Sequence, residues 1–296
     1  MIHETTLPIF RGELRLAARL FRNTDRLDVQ QPGVIVTGSW LTVKEQMPRT
    51  YALRLAERGY TVLTFDFTGF GQSQGVPRQA EIPQRKIDDL VAAANVASTL
   101  SCVEPDSLTH VAICASAQYG LAALAQGSRV RRFVSIAGWY HDPVSVAPFY
   151  GGMPGLDKRV AIGRAALDTY LATGEIDMVP AYAPGDERAG MFFELDYYGN
   201  SNRGNVPAWN NAMATLSWPY WFGFDGVRAA DHVSQPALMI HGDGCVFPDN
   251  ARRVHERLRG PKRLIWSDGN QIDFYDQPAQ VDPAVEAADA FMRERR

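Results

Sequence analysis

The sequence contains little cysteine and no long apolar run. Its three cysteines, Cys102, Cys114 and Cys245, have neither the even count of a disulfide framework nor the spacing of a metal site. No stretch approaches the roughly 18 consecutive apolar residues of a membrane span. The N-terminus MIHETTLPIF lacks the basic start and apolar core of a secretion signal. We therefore expect a cytoplasmic protein that is not embedded in a membrane.

The chain also lacks basic clusters and cofactor motifs. Its 30 Lys and Arg residues are balanced by 33 Asp and Glu residues, which gives a formal charge of -3 and argues against nucleic-acid binding. The sequence has no H-E-x-x-H, C-x-x-C or P-loop motif, and no G-x-G-x-x-G after a strand. We predict a small-molecule substrate, no metal and no organic cofactor, and we leave open whether the protein forms a homodimer.

Short apolar segments alternate with helical patterns along the chain, which is typical of a parallel sheet with crossover helices. The predicted parallel strands are residues 33–38, 60–67, 110–116, 132–138, 236–242 and 262–266. The predicted helices are residues 45–58, 81–100, 117–127, 248–259 and 279–295. Two short strands, at residues 4–10 and 13–21, precede them. The fold class is thus α/β.

The alternation breaks between residues 139 and 233. Glycine, proline and aromatic residues accumulate there, in segments such as GWYHDPVSVAPFYGGMPG and SWPYWFGFDG. A stretch of this length is too long for a simple connection between two strands. We predict that residues 139–233 form an inserted cap subdomain and that residues 1–138 and 234–296 form the core.

The segment VAICASAQYGLAAL runs from an apolar strand directly into a helix rich in Ala and Leu. With Ser116 at the turn, Cys114 and Gln118 take the two flanking positions that are normally small. The segment then resembles the nucleophile elbow of the α/β-hydrolase superfamily. The resemblance implies Ser116 as the nucleophile and the backbone amide of Ala117 as an oxyanion donor. The alternative is a serine that caps the following helix.

Two further segments support this resemblance. VTGSWLTVKEQM follows the first parallel strand, where the superfamily has its other oxyanion-hole amide, here from Ser39 or Trp40. FDFTGFGQSQG resembles the D-x-x-G-x-G-x-S turn of many α/β hydrolases, in which Asp66 would anchor the loop. Together with KEQM and GVPRQAEIPQRKIDDL, these segments resemble the dienelactone-hydrolase-like and prolyl-oligopeptidase-like branch. The resemblance covers about residues 30–138 and 234–295.

The remaining catalytic positions depart from the superfamily pattern. An acid normally follows the strand that ends here in LMIHG, and a histidine follows the next strand. The acid position holds Cys245, with Asp243 as the nearest substitute, and the histidine position in DGNQIDFYD holds Gln271. Glutamine does not titrate near neutral pH, so it cannot take a proton from the nucleophile. His141 could serve as a surrogate base or could have a structural role.

Aromatic residues in the predicted cap supply most of the expected pocket surface, although aromatic clusters more often form packing cores. The residues that we expect to contact substrate are Gln118, Trp139, Tyr140, Tyr197 and Trp218. The polar cap residues that could contact substrate are Glu194, Asp196, Arg203 and Asn210.

Three functional hypotheses follow from these residues. The first is a serine hydrolase that acts through Ser116 on an ester, thioester or lactone of a bulky apolar compound. The second is a cyclase, lyase or isomerase of a polyketide-like or aromatic metabolite that uses the oxyanion hole without a histidine base. The third is a ligand-binding protein without turnover, or a chain in which the histidine was replaced to trap a substrate.

Overall fold

The computed structural model describes residues 1–294 and contains a central sheet of eight strands. These strands are β1 (Ile2–Arg11), β2 (Leu14–Asn23), β3 (Gly33–Thr37), β4 (Thr61–Phe65), β5 (Thr109–Ile113), β6 (Arg132–Ile136), β9 (Ala237–His241) and β10 (Lys262–Trp266). A separate two-stranded ribbon contains β7 (Met178–Val179) and β8 (Met213–Ala214).

The strand order across the sheet is β1-β2-β4-β3-β5-β6-β9-β10. Strand β2 runs antiparallel to both of its neighbours. The other strands in this order, β4, β3, β5, β6, β9 and β10, are parallel to one another. Every residue of β3, β4, β5 and β9 is buried, as expected for apolar strands covered on both faces. The predicted parallel α/β architecture is confirmed.

Helices cover both faces of this sheet and also occupy the long segment between β6 and β9. The helices of the core are α1 (Met47–Glu57), α2 (Pro83–Ala97), α3 (Ser116–Ala125), α8 (Pro248–Arg257), α9 (Asp273–Asp276) and α10 (Pro278–Arg293). The helices between β6 and β9 are α4 (Pro143–Val146), α5 (Gly152–Thr173), α6 (Asp196–Gly199) and α7 (Trp218–Phe222). Helix α1 packs against α10, and α2 packs against α3. The predicted helix 279–295 and core segment 234–296 end outside the described residues.

Several strands are shorter than predicted at their carboxyl ends. The largest difference is in β5, which ends at Ile113 although the apolar segment was predicted to continue as strand to residue 116. This difference matters because ligands bind beyond the carboxyl ends of the strands in open parallel sheets. The turn after β5 therefore begins earlier in the sequence than predicted.

We keep the name cap segment for residues 139–233, which lie between β6 and β9. This segment contacts the loop that follows β3 through side-chain hydrogen bonds. The side-chain amide of Gln46 donates to the carbonyl oxygen of Gly204 at 2.6 Å, and the indole of Trp209 donates to the carbonyl oxygen of Leu41 at 2.8 Å. The cap segment therefore lies against the carboxyl edge of the sheet. Its division from the core as a subdomain stays a prediction.

Among residues 1–294, no helix combines the length and the apolar character needed to cross a bilayer. The same residues contain no cluster of three or more His, Cys, Asp or Glu side chains that could hold a metal ion.

Candidate active site

A strained turn joins β5 to α3. The strand ends at Ile113, the helix begins at Ser116, and Cys114 between them has a φ of +56°. Non-glycine residues adopt this left-handed region mainly where the surrounding structure enforces it. Here the amide of Cys114 donates to the carbonyl of Ile136 at 3.1 Å, and its carbonyl accepts from the amide of Trp139 at 2.9 Å. Cys114 therefore occupies the nucleophile-elbow position of the sheet.

Ser116 does not occupy that position. Its side chain is 1% exposed, and its Oγ accepts a hydrogen bond from the amide of Ile113 at 3.0 Å. The same oxygen lies 3.0 Å from the carbonyl oxygens of Thr37 and Ile113, one of which takes its proton. We therefore correct the predicted elbow residue from Ser116 to Cys114. The small flanking positions of the elbow are then Ala112 and Ser116.

Two neighbours of Ser116 also differ from their predicted roles. The amide of Ala117 donates to the carbonyl of Cys114 at 3.0 Å within the first turn of α3, so it is not free to bind an oxyanion. Gln118 is fully buried, and its Oε1 lies 3.4 Å from the backbone amide of His141, which donates to it. Both predictions were wrong because they were counted from an elbow two residues too late.

Four hydrogen-bond donors surround the Cys114 sulfur. The hydroxyl of Ser39 donates to Sγ at 3.1 Å. The hydroxyl of Tyr275 and the backbone amides of Ala115 and Trp40 lie near the same atom, and each of them acts to lower its pKa. An arrangement made of donors favours negative charge on the sulfur, or on an oxygen atom bound beside it.

A chain of hydroxyl groups extends from the Ser39 side chain. The hydroxyl of Tyr198 donates to Ser39 Oγ at 2.9 Å, and the hydroxyl of Tyr275 lies 3.2 Å from the same oxygen. The Nε2 of Gln271 donates to the Tyr275 hydroxyl at 3.3 Å. Burial raises the pKa of both tyrosines well above the ordinary value, so these hydroxyls stay protonated and act as donors.

The amides of Trp40 and Ala115 lie where the α/β-hydrolase pattern has the two amides of its oxyanion hole. Trp40 belongs to the loop after β3, and Ala115 directly follows the elbow residue, as the α/β-hydrolase pattern requires. Ser39, the other predicted donor of this loop, instead contributes its hydroxyl group. Because backbone amides are fixed by the fold, they need no reorganisation when charge develops on a substrate oxygen.

The loop that carries Trp40 is held from several directions. Asp66 accepts hydrogen bonds from the amide and the Nζ of Lys44, at 2.8 and 2.7 Å, and thus holds this loop. Asp66 also accepts a hydrogen bond from the amide of Gln72 at 2.9 Å, within the turn that its motif predicted it to anchor. Leu41 has a φ of +60°, a second strained non-glycine position. The indole of Trp40 stacks on that of Trp221 from the cap segment, with 4.6 Å between the ring centroids. These contacts fix the position of the Trp40 amide.

Burial raises the pKa of the Cys114 thiol, although the four donors around the sulfur act in the opposite direction. The protein therefore holds this residue mainly as a thiol at neutral pH. Reactive cysteines elsewhere are activated by a neighbouring imidazolium or other positive group. The residues predicted to act as base or acid, Gln271, Cys245, Asp243 and His141, are the candidates for such a positive group or its partner.

Gln271 lies in the loop after β10, in the position that the sequence pattern gave it. Its Oε1 accepts from the amide of Val246 at 3.1 Å, and its Nε2 donates to the carbonyl of Ala137 at 2.8 Å. Its own backbone amide donates to the carbonyl of Gly244 at 3.1 Å, which joins the loops after β9 and β10. The side chain thus bridges its neighbours and has no basic atom to offer.

The acid position holds a neutral side chain. Burial raises the pKa of Cys245 to about 12, so its thiol carries no charge at neutral pH. The side chain of Asp243 is 77% exposed and pairs with Arg252 at 3.0 Å. The prediction that Asp243 could substitute for the missing acid is wrong, because its carboxylate points to solvent.

His141 cannot act as the surrogate base in this arrangement. It is fully buried, its Nδ1 accepts from the indole of Trp139 at 2.7 Å, and its Nε2 donates to the carbonyl of Trp221 at 2.8 Å. Burial lowers its pKa to about 4. Both ring nitrogens are therefore engaged in holding the entrance of the cap segment, which corrects the predicted catalytic role.

An apolar cavity of about 190 Å³ opens at Cys114. Its walls consist of Ser39, Trp40, Cys114, Trp139, Phe149, Tyr150, Met191, Phe193, Leu195, Tyr198, Val246, Gln271, Ile272 and Tyr275. None of these lining residues, which belong to the described part of the chain, has a carboxylate, an imidazole or an amine. The cavity is therefore suited to an uncharged apolar group.

Of the five side chains predicted to contact substrate, Trp139 lines this cavity. The other four, Gln118, Tyr140, Tyr197 and Trp218, are buried outside its lining. Tyr140, for example, donates its hydroxyl proton to Ser135 Oγ at 2.5 Å. These residues stabilise the packing of the core and the cap segment, which is the more common role of aromatic clusters.

The predicted polar cap residues do not line the cavity either. Arg203 donates to both carboxylate oxygens of Asp276, at 2.9 and 2.6 Å, and to Asp196 at 3.1 Å. This arrangement ties the cap segment to the short helix after β10. Glu194 and Asn210 are exposed to solvent.

The sequence contains a signal for an elbow at Cys114. Centred on Cys114, the pattern has Ala112 and Ser116 as its small flanking residues, whereas centring on Ser116 required the bulky Gln118. Tyr198 carried no comparable signal, since it is one of many aromatic residues in the cap segment.

No family model matches the chain. One relative, the uncharacterized protein YcjY of Escherichia coli (strain K12), is 26% identical over 261 residues, which cover 85% of each chain. The acyltransferase drtE of Aspergillus calidoustus is 29% identical over 130 residues, 44% of this chain and 41% of that protein. The thiohydrolase aneE of Aspergillus aculeatus is 24% identical over 267 residues, 86% of this chain and 81% of that protein.

Solved structures match nearly the whole chain. The hypothetical protein PA2218 of Pseudomonas aeruginosa superposes with a TM-score of 0.82 at 21% identity, covering 98% of this chain and 93% of that one. DcsB in complex with its substrate analogue gives 0.83 at 17%, covering 98% of both chains. The α/β hydrolase GrgF of Penicillium sp. sh18 gives 0.82 at 18%, covering 99% and 98%. The chain therefore has the α/β-hydrolase fold, as predicted, and its relatives support an enzyme of this fold.

Proposed function

We propose that this protein is an enzyme that takes an apolar acyl group from a thioester or an ester onto the Cys114 thiol. The observation that carries the proposal is the position of the Cys114 sulfur. It lies at the elbow, faces the amides of Ala115 and Trp40, and lines the apolar cavity. A thiol placed in this way can form a covalent acyl-enzyme.

The reaction would begin when the Cys114 sulfur attacks the carbonyl carbon of the acyl donor. The carbonyl oxygen becomes negatively charged and accepts hydrogen bonds from the amides of Ala115 and Trp40. In other acyl-transfer enzymes, removal of one such donor lowers the rate about 10²–10³-fold. The intermediate then collapses, the bond to the leaving group breaks, and the leaving thiol or alcohol departs with the proton of Cys114.

The cavity defines the acyl group that fits this reaction. The rings of Trp139, Phe149 and Phe193 form part of its wall, and Trp40 lies beside the sulfur. Aromatic rings contribute large apolar area at fixed positions, so they favour a compact branched or ring-containing acyl group. The carbonyl end of such a group would lie at the two amides.

The names of two relatives agree with this chemistry, since one is an acyltransferase and the other a thiohydrolase. The alternative of a cyclase, lyase or isomerase is not favoured by these comparisons. The earlier hypothesis of an acyl-Ser116 intermediate is replaced by an acyl-Cys114 intermediate, because the Ser116 hydroxyl is enclosed by backbone groups.

Intact-protein mass spectrometry tests the proposal. The protein is incubated with the isobutyryl and benzoyl thioesters of N-acetylcysteamine, and we expect one acyl group to be added. Cys114→Ala should not be acylated. Ser116→Ala and Cys102→Ala should be acylated, once circular dichroism has shown that both variants are folded. Cys102 is partly exposed and thus controls for unspecific thiol reactivity. Absence of acylation in the wild type, or undiminished acylation of Cys114→Ala, would overturn the proposal.

A further inference from the structure

The acyl-enzyme would be surrounded by groups that cannot accept a proton. The polar side chains that line the cavity are hydroxyls, indoles, one thiol and one amide, with no carboxylate, imidazole or amine among the described lining residues. Hydrolysis of an acyl-enzyme requires a base, because a water molecule must lose a proton as it attacks. The site therefore contains donors that stabilise the oxyanion but lacks the group that activates water.

Gln271 is held in a way that prevents it from replacing that base. Its Oε1 is occupied by the amide of Val246, and its Nε2 donates to the carbonyl of Ala137 and to the Tyr275 hydroxyl. Even a free amide oxygen would be a very weak base. His141, the histidine predicted as a surrogate base, has both nitrogens bonded and lies outside the cavity lining.

An acceptor that ionises by itself does not need such a base. Water has a pKa of about 15.7, and almost none of it is ionised at neutral pH. A free thiol has a pKa of about 8.5, so a few per cent of it is already thiolate at pH 7. A thiolate can attack the acyl carbon directly, and the charge that develops on the oxygen is stabilised by the amides of Ala115 and Trp40.

We infer that this protein is a thiol-to-thiol acyl transferase, in which acyl-Cys114 resists water and is discharged by a second thiol. The inference rests on the proposed function and names its donor and acceptor class. In the first step, the bond between Cys114 Sγ and the acyl carbon forms, the donor C–S bond breaks, and the donor leaves as a thiol with the Cys114 proton. In the second step, the acceptor sulfur bonds to the acyl carbon, the Cys114 bond breaks, and the acceptor proton returns to Cys114.

The two steps are the same reaction in opposite directions. One thioester is exchanged for another, and no oxidant, reductant or water is consumed. Residues such as Trp139, Phe149 and Phe193 also give the cavity an apolar wall that offers few groups to hold a water molecule near the acyl carbon. Transfer to an alcohol would meet the same difficulty as hydrolysis, since an alcohol must also lose its proton on attack.

The lifetime of the acyl-enzyme tests the inference. The protein is acylated with the isobutyryl thioester of N-acetylcysteamine, freed of excess reagent, and followed by mass spectrometry in buffer and with added cysteamine. We expect cysteamine to shorten the lifetime of the acyl-enzyme about a hundredfold or more relative to buffer. Cysteamine should also discharge the folded acyl-enzyme faster than the denatured acyl-enzyme.

Two variants extend this test. Gln271→His introduces an imidazole, and we expect it to shorten the lifetime in buffer by about 10²-fold or more. Gln271→Met removes the same amide without adding a base, so its lifetime in buffer measures the loss of the amide contacts alone. The lifetime of Gln271→His should be shorter than that of Gln271→Met by about tenfold or more. If wild-type acyl-Cys114 disappears in buffer within the time of a turnover, or if both variants accelerate its loss equally, the inference is overturned. The proposed acyl-enzyme would still stand in those cases, whereas absence of any acylation would overturn the proposed function itself.

Discussion

The two sides of the candidate active site are built from different groups. On the side of β3 and β5, which we call the amide side, the backbone amides of Trp40 and Ala115 face the sulfur. On the side of β9 and β10, which we call the acid–base side, Cys245 and Gln271 stand where the superfamily pattern predicts an acid and a base. The first side has the groups that stabilise an oxyanion. On the second side, neither Cys245 nor Gln271 carries a charge at neutral pH with which to move a proton.

This difference follows from what each side requires of the sequence. An oxyanion hole made of amides depends on the path of the backbone, so it persists through side-chain changes that keep the elbow. A general base depends on one side chain and is lost by one substitution. A general base increases the rate about 10²–10⁴-fold, and one oxyanion donor increases it about 10²–10³-fold. A site that has only the amide side therefore still accelerates reactions whose attacking group needs no base.

The largest expected effect comes from rebuilding the acid–base side. We expect the double variant Cys245→Asp, Gln271→His to hydrolyse the p-nitrophenyl ester of isobutyric acid about 10²–10⁴ times faster than the wild type. Steady-state kinetics with purified protein measures this change. Cys245→Asp alone should give no gain, because a carboxylate without a histidine has no imidazole to orient. No gain in the double variant would mean that the loops after β9 and β10 do not have the geometry of a catalytic pair.

The same two proteins should differ in their pH dependence. Burial raises the pKa of Cys114, and the reactive thiolate is lost as the pH falls below that pKa. The acylation rate of the wild type should therefore keep rising, about tenfold per pH unit, through about pH 7 to 8.5. In the double variant, the rate should level off once the introduced histidine is neutral, near its ordinary pKa of about 6.5. A plateau near neutral pH in the wild type would contradict this comparison.

A smaller effect is expected from weakening the amide side. Ser39→Ala and Tyr275→Phe each remove one hydroxyl that donates to the Cys114 sulfur. A hydrogen bond to a charged group is worth about 1.5–3 kcal/mol, so each variant should slow acylation by about tenfold or more. Stopped-flow or quenched-flow acylation rates measure this loss. Tyr140→Phe, which removes a buried hydroxyl bonded to Ser135, is the matched control and should react at the wild-type rate.

The smallest effect concerns the contact between the cap segment and the acid–base side. Arg203 and Asp276 are 15% and 19% exposed and form a bidentate pair. We expect Arg203→Met to lower the free energy of unfolding by about 1–2 kcal/mol, measured by urea denaturation. Arg188→Met breaks a surface pair with Asp186, in which the arginine side chain is 78% exposed, and should leave stability unchanged. Equal effects of the two substitutions would show that the cap segment is not anchored through Arg203.

The sequence was sufficient to predict the sheet and the position of Gln271, because both depend on local patterns. Strand and helix periodicity gave the order of the elements, and the loop motif DGNQIDFYD fixed the register of Gln271. The elbow was placed two residues too late because apolar residues continue beyond Ile113, so hydrophobicity alone does not mark the end of β5. The strain at Cys114, which does mark it, is a property of backbone geometry.

Other features could not be predicted because they depend on distant contacts. A histidine after a strand end is a reasonable base in sequence, but His141 is bonded on both sides by Trp139 and Trp221. The cap aromatics differ in the same way. Trp139 lines the cavity and Trp218 does not, although both are bulky apolar residues in the same segment. Their spacing along the chain does not determine which of them faces Cys114.

The stacked pair of Trp40 and Trp221 gives the protein a built-in optical reporter. The two rings are 4.6 Å apart and 14° from parallel, and Trp40 shares the cavity wall with Trp139 and the Cys114 sulfur. An acyl group on that sulfur would lie against one of the paired chromophores, where it changes the polarity around an emitting indole. Tryptophan fluorescence could therefore follow the charging and discharging of Cys114 in real time, with no label and no chromogenic substrate.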